Sequence, residues 1–200
     1  MSAVPDERPG RRASLPLDAA IAGRAAQQHG VVSRAQLREL GMTDPAISRA
    51  VARGRLHTVR RGVFAVGHPL LGTHGRRMAA VLALGRGTRL SHVSGADLWE
   101  IRRSASPWID VTVPGTGGRR RRAGLTIHRA RDLRPDEVDV HLGIPVTSPA
   151  RTLLDLAAIL DARALERALD RAELLELTDY PALDTLARAR AGHRGAARLR

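Results

Sequence analysis

Two arginines one helical turn apart, Arg49 and Arg53, carry the most specific chemistry legible in this sequence. In a helix over residues 44–53, Ile47, Ala50 and Val51 gather on one side. At 100° per residue, Pro45, Arg49, Ala52 and Arg53 fall opposite, with Ala46 close by and Ser48 at the flank. A guanidinium held on such a face can bond guanine O6 and N7 together, a contact worth ~1–3 kcal/mol of base discrimination. Ser48 is placed to touch a phosphate. Downstream, Leu56–Val59 and Val63–Val66 alternate like a hairpin around Arg60-Arg61-Gly62. Gly62 supplies the positive φ of a tight turn, and two arginines at the tip would reach the DNA backbone or minor groove. The residues expected to face duplex DNA are therefore Ser33, Arg34, Thr43, Pro45, Ala46, Ser48, Arg49, Arg53, Arg55, Arg60 and Arg61.

Something must hold these groups in place. Ser33-Arg-Ala-Gln36 is a capping box, in which Ser33 accepts the Gln36 amide and Gln36 reaches back to Ser33. Leu37 and Leu40 give that helix an inward face and Gly41 stops it. Met42-Thr43-Asp44-Pro45 restarts the chain, with Thr43 or Asp44 as cap and Pro45 in the first turn. Two short helices across a glycine-containing turn are a helix-turn-helix, whose second helix enters the major groove. An earlier helix carries Leu17, Ala20 and Ile21 on one face, with Pro16 in its first turn and Gly30 at its end; Val31-Val32 is an extended link. Residues 15–67 thus read as a winged helix-turn-helix behind a disordered Pro/Arg-rich leader, residues 1–14. The alternatives are a merely solvated arginine face, or a winged helix that binds protein. Box, turn, amphipathic helix and Arg-tipped hairpin in order within about 35 residues favour DNA.

Residues 72–84 and 91–101 read as helices. Strand signals follow at Ile109–Val113, Leu125–His128, Val138–Leu142 and Ile144–Thr147. Ser148-Pro149 opens a helix whose Leu153, Leu154, Leu156, Ile159 and Leu160 surround it, as in a buried helix. Residues 162–175 are amphipathic. The fold class expected is α+β: an N-terminal winged helix-turn-helix, then a mixed α/β domain over 72–191 with a small sheet and C-terminal helices, then a connector over 192–200.

Composition narrows the chemistry. A net charge of +13 implies either a polyanionic partner, most commonly nucleic acid, or strong self-repulsion, and all 33 basic residues are arginine. Eight arginines in 24–61 meet only Glu39 and Asp44, whereas 151–184 holds eight acids against four arginines, so the first third is the docking face. Absence of cysteine excludes disulfides, thiolate zinc sites and cysteine nucleophiles. No apolar run suits a membrane span or a signal peptide, which leaves the cytoplasm. His68, His74 and His92 lack ligand spacing for a metal. In Ser91-His92, adjacent side chains are expected to point apart, with Ser91 the N-cap of the helix after it. Asp110 is a lone carboxylate in a chain without lysine, a poor nuclease centre. No catalytic residue, metal or cofactor is expected. Arg119–Arg122, between Gly117-Gly118 and Gly124, reads as a mobile hairpin tip, with RNA binding as its rival reading.

The string Gly30-Val-Val-Ser-Arg-Ala-Gln-Leu37, then Gly54-Arg-Leu-His57 and Arg61-Gly-Val-Phe-Ala-Val-Gly-His68, is distinctive. With Leu90-Ser-His92, Ala96-Asp-Leu-Trp99, Asp110-Val-Thr-Val-Pro114 and Gly143-Ile-Pro-Val-Thr-Ser-Pro-Ala-Arg-Thr-Leu-Leu-Asp155, it resembles the AbiEi-type antitoxin family over about residues 17–170. The resemblance implies a winged-helix domain followed by a mixed α/β domain. It also implies a transcriptional regulator that represses its own operon at inverted repeats and counters a nucleotidyltransferase toxin without a stable complex. The family's DNA-contacting helix falls on 44–53 and its wing on Arg60-Arg61. Many relatives continue into a restriction-endonuclease-like domain absent from this sequence, so the targeting half of such a nuclease is the alternative. Oligomeric state is not legible, since no heptad seam is present.

Overall fold

The computed structural model describes residues 14–117 and 120–200. The leader expected over 1–14 lies outside them except for Ser14, which already begins a helix. The chain divides into two compact units, Met1–Ala83 and Leu84–Arg200.

The first unit runs α1 (Ser14–Gln27), β1 (Val31–Ser33), α2 (Arg34–Glu39), α3 (Asp44–Ala52), β2 (Leu56–Arg60), β3 (Val63–Val66) and α4 (Thr73–Ala83). Its antiparallel sheet has β3 between β1 and β2. Ile21, Val32, Leu37, Ile47, Leu56 and Phe64 form the centre of one core, so helix periodicity in α1–α3 and strand alternation in the hairpin converge on the same apolar volume. The helix Thr73–Ala83, assigned from sequence to the second domain, packs instead on all three strands of this sheet. Gly75 allows the approach: a Cβ there would stand 2.8 Å from the His29 carbonyl oxygen. Its apolar face announces burial but not the core it joins.

The second unit contains β4 (Arg89–Leu90), α5 (His92–Leu98), β5 (Ile109–Pro114), β6 (Arg120–Arg122), β7 (Leu125–Ala130), β8 (Val138–His141) and β9 (Ile144–Thr147). The helices α6 (Pro149–Ala157), α7 (Ala162–Leu174) and α8 (Tyr180–Ala189) complete it. The sheet is larger than expected, six strands in the order β6-β7-β5-β4-β9-β8. It is mixed: β5 runs parallel to β7 and β4 to β9. Residues 110–113 of β5 are buried in succession, as in a strand covered on both faces. Arg120–Arg122 is a strand paired antiparallel with β7 and not a mobile tip; Arg121 lies 5.1 Å over the Trp108 ring. Gly118 and Arg119 lie outside the described residues.

Ser148 caps α6 as expected, accepting the Arg151 amide at 3.4 Å, and α6 packs against α5, α7 and α8. It carries two charges into the interior. Arg151 bonds Asp155 through Nε at 3.0 Å and Glu137 at 3.3 Å. Fully buried Glu137 also receives both arms of Arg190, at 2.6 and 2.5 Å, and the Arg134 amide at 2.8 Å. Burial opposes ionisation of Glu137, but Arg190, the Arg134 amide and Arg151 outweigh it and hold the carboxyl below its ordinary range.

Two further expectations are corrected. Ser91 occupies the N-cap position of α5, but its hydroxyl caps nothing. It lies 3.0 Å from His92 Nδ1 and receives the Thr112 hydroxyl at 2.8 Å. The adjacent side chains meet because His92 has a left-handed φ of 50°. The segment 192–200 is no connector. Ala196 and Leu199 are buried, Arg198 donates to the carbonyls of Ala157 and Leu160, and a Cβ on Gly195 would collide with the Leu154 carbonyl. A short terminal stretch with few apolar residues reveals no packing surface until α6 is in place.

Candidate nucleic-acid interface

The turn between α2 and α3 is built by local hydrogen bonds. The Ser33 hydroxyl accepts the Gln36 amide at 3.2 Å, and Gln36 Oε1 accepts the Ser33 amide at 2.9 Å, closing the capping box. Gly41 takes a φ of 97°, Met42 tucks into the core, and Thr43 caps α3 by accepting the Ala46 amide at 3.4 Å. Ile47 and Ala50 are buried, so the opposite face of α3 points to solvent.

Asp44 then joins the two helices. It accepts Arg34 at 2.8 Å and is also paired with Arg38. Hydrogen bonds from Arg38 and then Arg34 hold its carboxyl below the ordinary value. Arg34 is fixed further by the Phe64 ring, 5.5 Å beneath its guanidinium, and its amide donates to the Gly62 carbonyl at 2.8 Å. One acidic residue thereby registers α2, α3 and the hairpin turn. Sequence reading took Asp44 only as a possible cap; the signal for more was two arginines at i, i+4 on the helix that precedes it.

The expected site residues separate into groups. Pro45, Ser48, Arg49, Arg53 and Arg61 are exposed. Arg49 stands in the last turn of α3 and Arg53 is its C-cap, so both lie at the far end of the helix and not near its start. Ser33 is buried in its capping role, Thr43 is exposed but spends its oxygen on the cap, and Ala46 packs partly against the core. Arg34 is clamped by Asp44, and Arg55 pairs with Asp18 at 3.1 Å. Arg60 is not at the hairpin tip: it ends β2 opposite Val63, after a register shift, and partial burial lowers its guanidinium pKa. The tip is Arg61-Gly62, with Gly62 at φ 74°. The wing therefore presents one exposed arginine where two were expected.

Asp110, the carboxylate weighed as a nuclease ligand, is engaged by His128 Nε2 at 2.8 Å. Among the described residues no helix is long and apolar enough to cross a membrane.

No curated protein matches the chain. Among solved structures, the fold is similar to the RV2827C protein from Mycobacterium tuberculosis, at 19% identity and a TM-score of 0.54, covering 97% of this chain and 78% of that one. At that identity the likeness is one of fold. A family model described as "Transcriptional regulator, AbiEi antitoxin" matches residues 21–67, which run from α1 through the wing. Over this winged helix-turn-helix segment the chain is similar to the AbiEi antitoxin family of transcriptional regulators.

Proposed function

We propose that this protein is a duplex-DNA-binding regulator of the antitoxin type that represses its own operon and opposes a nucleotidyltransferase toxin without forming a stable complex with it. The observation that carries the DNA reading is the exposed Ser48, Arg49, Arg53 face of α3 beside a wing tipped by Arg61. With α3 in the major groove, Arg49 and Arg53 supply bidentate donors to base edges and Ser48 a phosphate contact. Arg61 reaches the flanking backbone. Arg34 spends one nitrogen on Asp44 and keeps its other donors for a phosphate, already oriented by Phe64. This division of work separates base reading by α3 from sequence-blind anchoring by α2 and the wing.

Salt titration tests the electrostatic half. Arg61, with Arg34 and Arg38 shared through Asp44, gives about 2–3 charged phosphate contacts, so log K against log[salt] should fall with a slope of about −2 to −3. A slope near zero would mean that this face does not dock on DNA. Co-expression with a neighbouring nucleotidyltransferase tests the antitoxin half: growth is restored without co-purification, and unrelieved toxicity would overturn it.

A further inference from the structure

The second unit bears an open cavity of about 650 Å³ that the DNA-binding reading does not use. We infer that it binds a small phosphate ester whose carbon skeleton carries hydroxyl groups, the chemistry shared by nucleotides and sugar phosphates. The volume is that of a small-ligand pocket.

The lining groups divide by what they can bond. Arg129, Arg131 and Arg194 are exposed along it and have no carboxylate partner among the described residues. By contrast, Arg151 and Arg190 in the same cavity are neutralised by Glu137, Asp155 and Asp132. Three uncompensated guanidiniums around one opening suit a phosphate, which takes several N–H donors in fork geometry.

Deeper groups ask for something else. Asp155 is fully buried; its Oδ1 is bonded by Arg151 and His193, at 3.0 and 3.3 Å, while Oδ2 has no hydrogen-bond partner. Burial alone would raise this carboxyl, but the His193 hydrogen bond and the Arg151 guanidinium hold it below its ordinary range, so the acid stays ionised and Oδ2 lacks a donor among the described residues. His92 cannot supply one. Its Nδ1 is 3.6 Å from Oδ2, beyond hydrogen-bond reach, and lies 3.0 Å from the Ser91 hydroxyl, to which the Thr112 hydroxyl donates. The other ring nitrogen of His92, Nε2, remains for a ligand, as donor or acceptor according to the tautomer. His128, stacked on His92 with centroids 3.4 Å apart, gives its Nε2 proton to Asp110 and keeps Nδ1 as an acceptor. An orphan carboxylate oxygen and two imidazole nitrogens together match hydroxyl groups, which donate and accept at once. Ser91 is fully buried and lies outside the lining, so the Ser91-His92 pair is not a nucleophile open to this ligand. Among the described residues no group of three or more His, Asp or Glu is arranged for a metal ion.

The test is calorimetric titration of the full chain with AMP, ATP, ribose 5-phosphate, inorganic phosphate, adenosine and ribose. AMP, ATP or ribose 5-phosphate should bind at least tenfold more tightly than inorganic phosphate, adenosine or ribose. Preference for AMP or ATP assigns the ligand to nucleotides, and preference for ribose 5-phosphate to sugar phosphates. Arg131→Ala with Arg194→Ala should weaken binding at least tenfold while leaving the unliganded melting temperature nearly unchanged, since neither side chain makes a structural bond. Binding should also move the imidazole proton resonances of His92 and His128. Arg49→Ala with Arg53→Ala should leave it intact; loss there would place the anion on the DNA face and overturn the assignment. Inorganic phosphate binding as well as the esters, no saturation at millimolar ester, or unchanged binding in the Arg131/Arg194 variant would each overturn it too.

Discussion

Replacing Glu137 by alanine removes the hub of the buried ion network and tests how the second unit is held together. Its carboxylate is fully buried and takes two bonds from Arg190, one from the Arg134 amide and a contact from Arg151. Loss of one partner from a buried pair costs about 3–5 kcal/mol, because the remaining charge is left in a poor solvent. Here Arg151 retains Asp155, and Arg190 retains Asp132 at its exposed end, so the lower figure, about 3 kcal/mol, is expected. The chain offers a convenient probe. Both of its tryptophans, Trp99 and Trp108, lie in the second unit, and Trp99 is buried with its indole N–H on the Thr147 carbonyl at 2.9 Å. Urea unfolding followed by tryptophan fluorescence therefore reports this unit and not the winged helix. The surface pair Arg188–Asp184 is the control: Asp184→Ala should shift stability by under about 1 kcal/mol. A Glu137→Ala loss as small as that of Asp184→Ala would refute the network as a source of stability.

Three further outcomes follow from the geometry. Burial depresses the His92 pKa to about 4 from 6.5, so the unfolded chain takes up its proton first as the solution is acidified. The stability from keeping His92 neutral is present in full above pH 6.5 and is lost as pH falls through about 4, an effect of up to about 3 kcal/mol. Urea midpoints measured from pH 7.5 to 4 should fall more steeply for the native chain than for His92→Gln, and equal slopes would contradict this. Asp44→Ala frees Arg34 and Arg38, so binding to scrambled duplex should strengthen at low salt and lose roughly 3-fold more affinity per added phosphate between 50 and 200 mM salt, while discrimination narrows because α2 and α3 lose their link. Anisotropy on specific and scrambled duplexes measures both, and weaker binding to both would show that Asp44 acts otherwise. Gly195→Ala should destabilise the second unit by about 1–3 kcal/mol through the clash at the Leu154 carbonyl, and an unchanged tryptophan melt would contradict the packed tail.

The winged helix was legible because its signals are short-range. Ser33 and Gln36, Thr43 and Ala46, and the Arg61-Gly62 turn each lie within three residues of their partners. What was missed depends on distant pairing. Arg190 and Glu137 are separated by 53 residues, and the parallel pairing of β5 with β7 leaves no local mark. Arg60 was misplaced because alternation alone does not show the register shift after Thr58. One overlooked signal was available: Arg151 and Asp155 stand at i, i+4 in a helix apolar on every side, where charges must be paired internally. Helical period separates the exposed Arg49 and Arg53 from the apolar face of α3, but period does not say that Asp44 and Asp18 occupy Arg34 and Arg55.

The most direct measurement is equilibrium binding of the full chain, beside Arg49→Ala and Arg53→Ala, to a duplex from upstream of its own gene and to a scrambled duplex of equal length. The native chain should prefer its upstream sequence, and each substitution should cost about 1–3 kcal/mol on that duplex while changing the scrambled one far less. Native affinity of both variants for both duplexes would contradict base reading by α3.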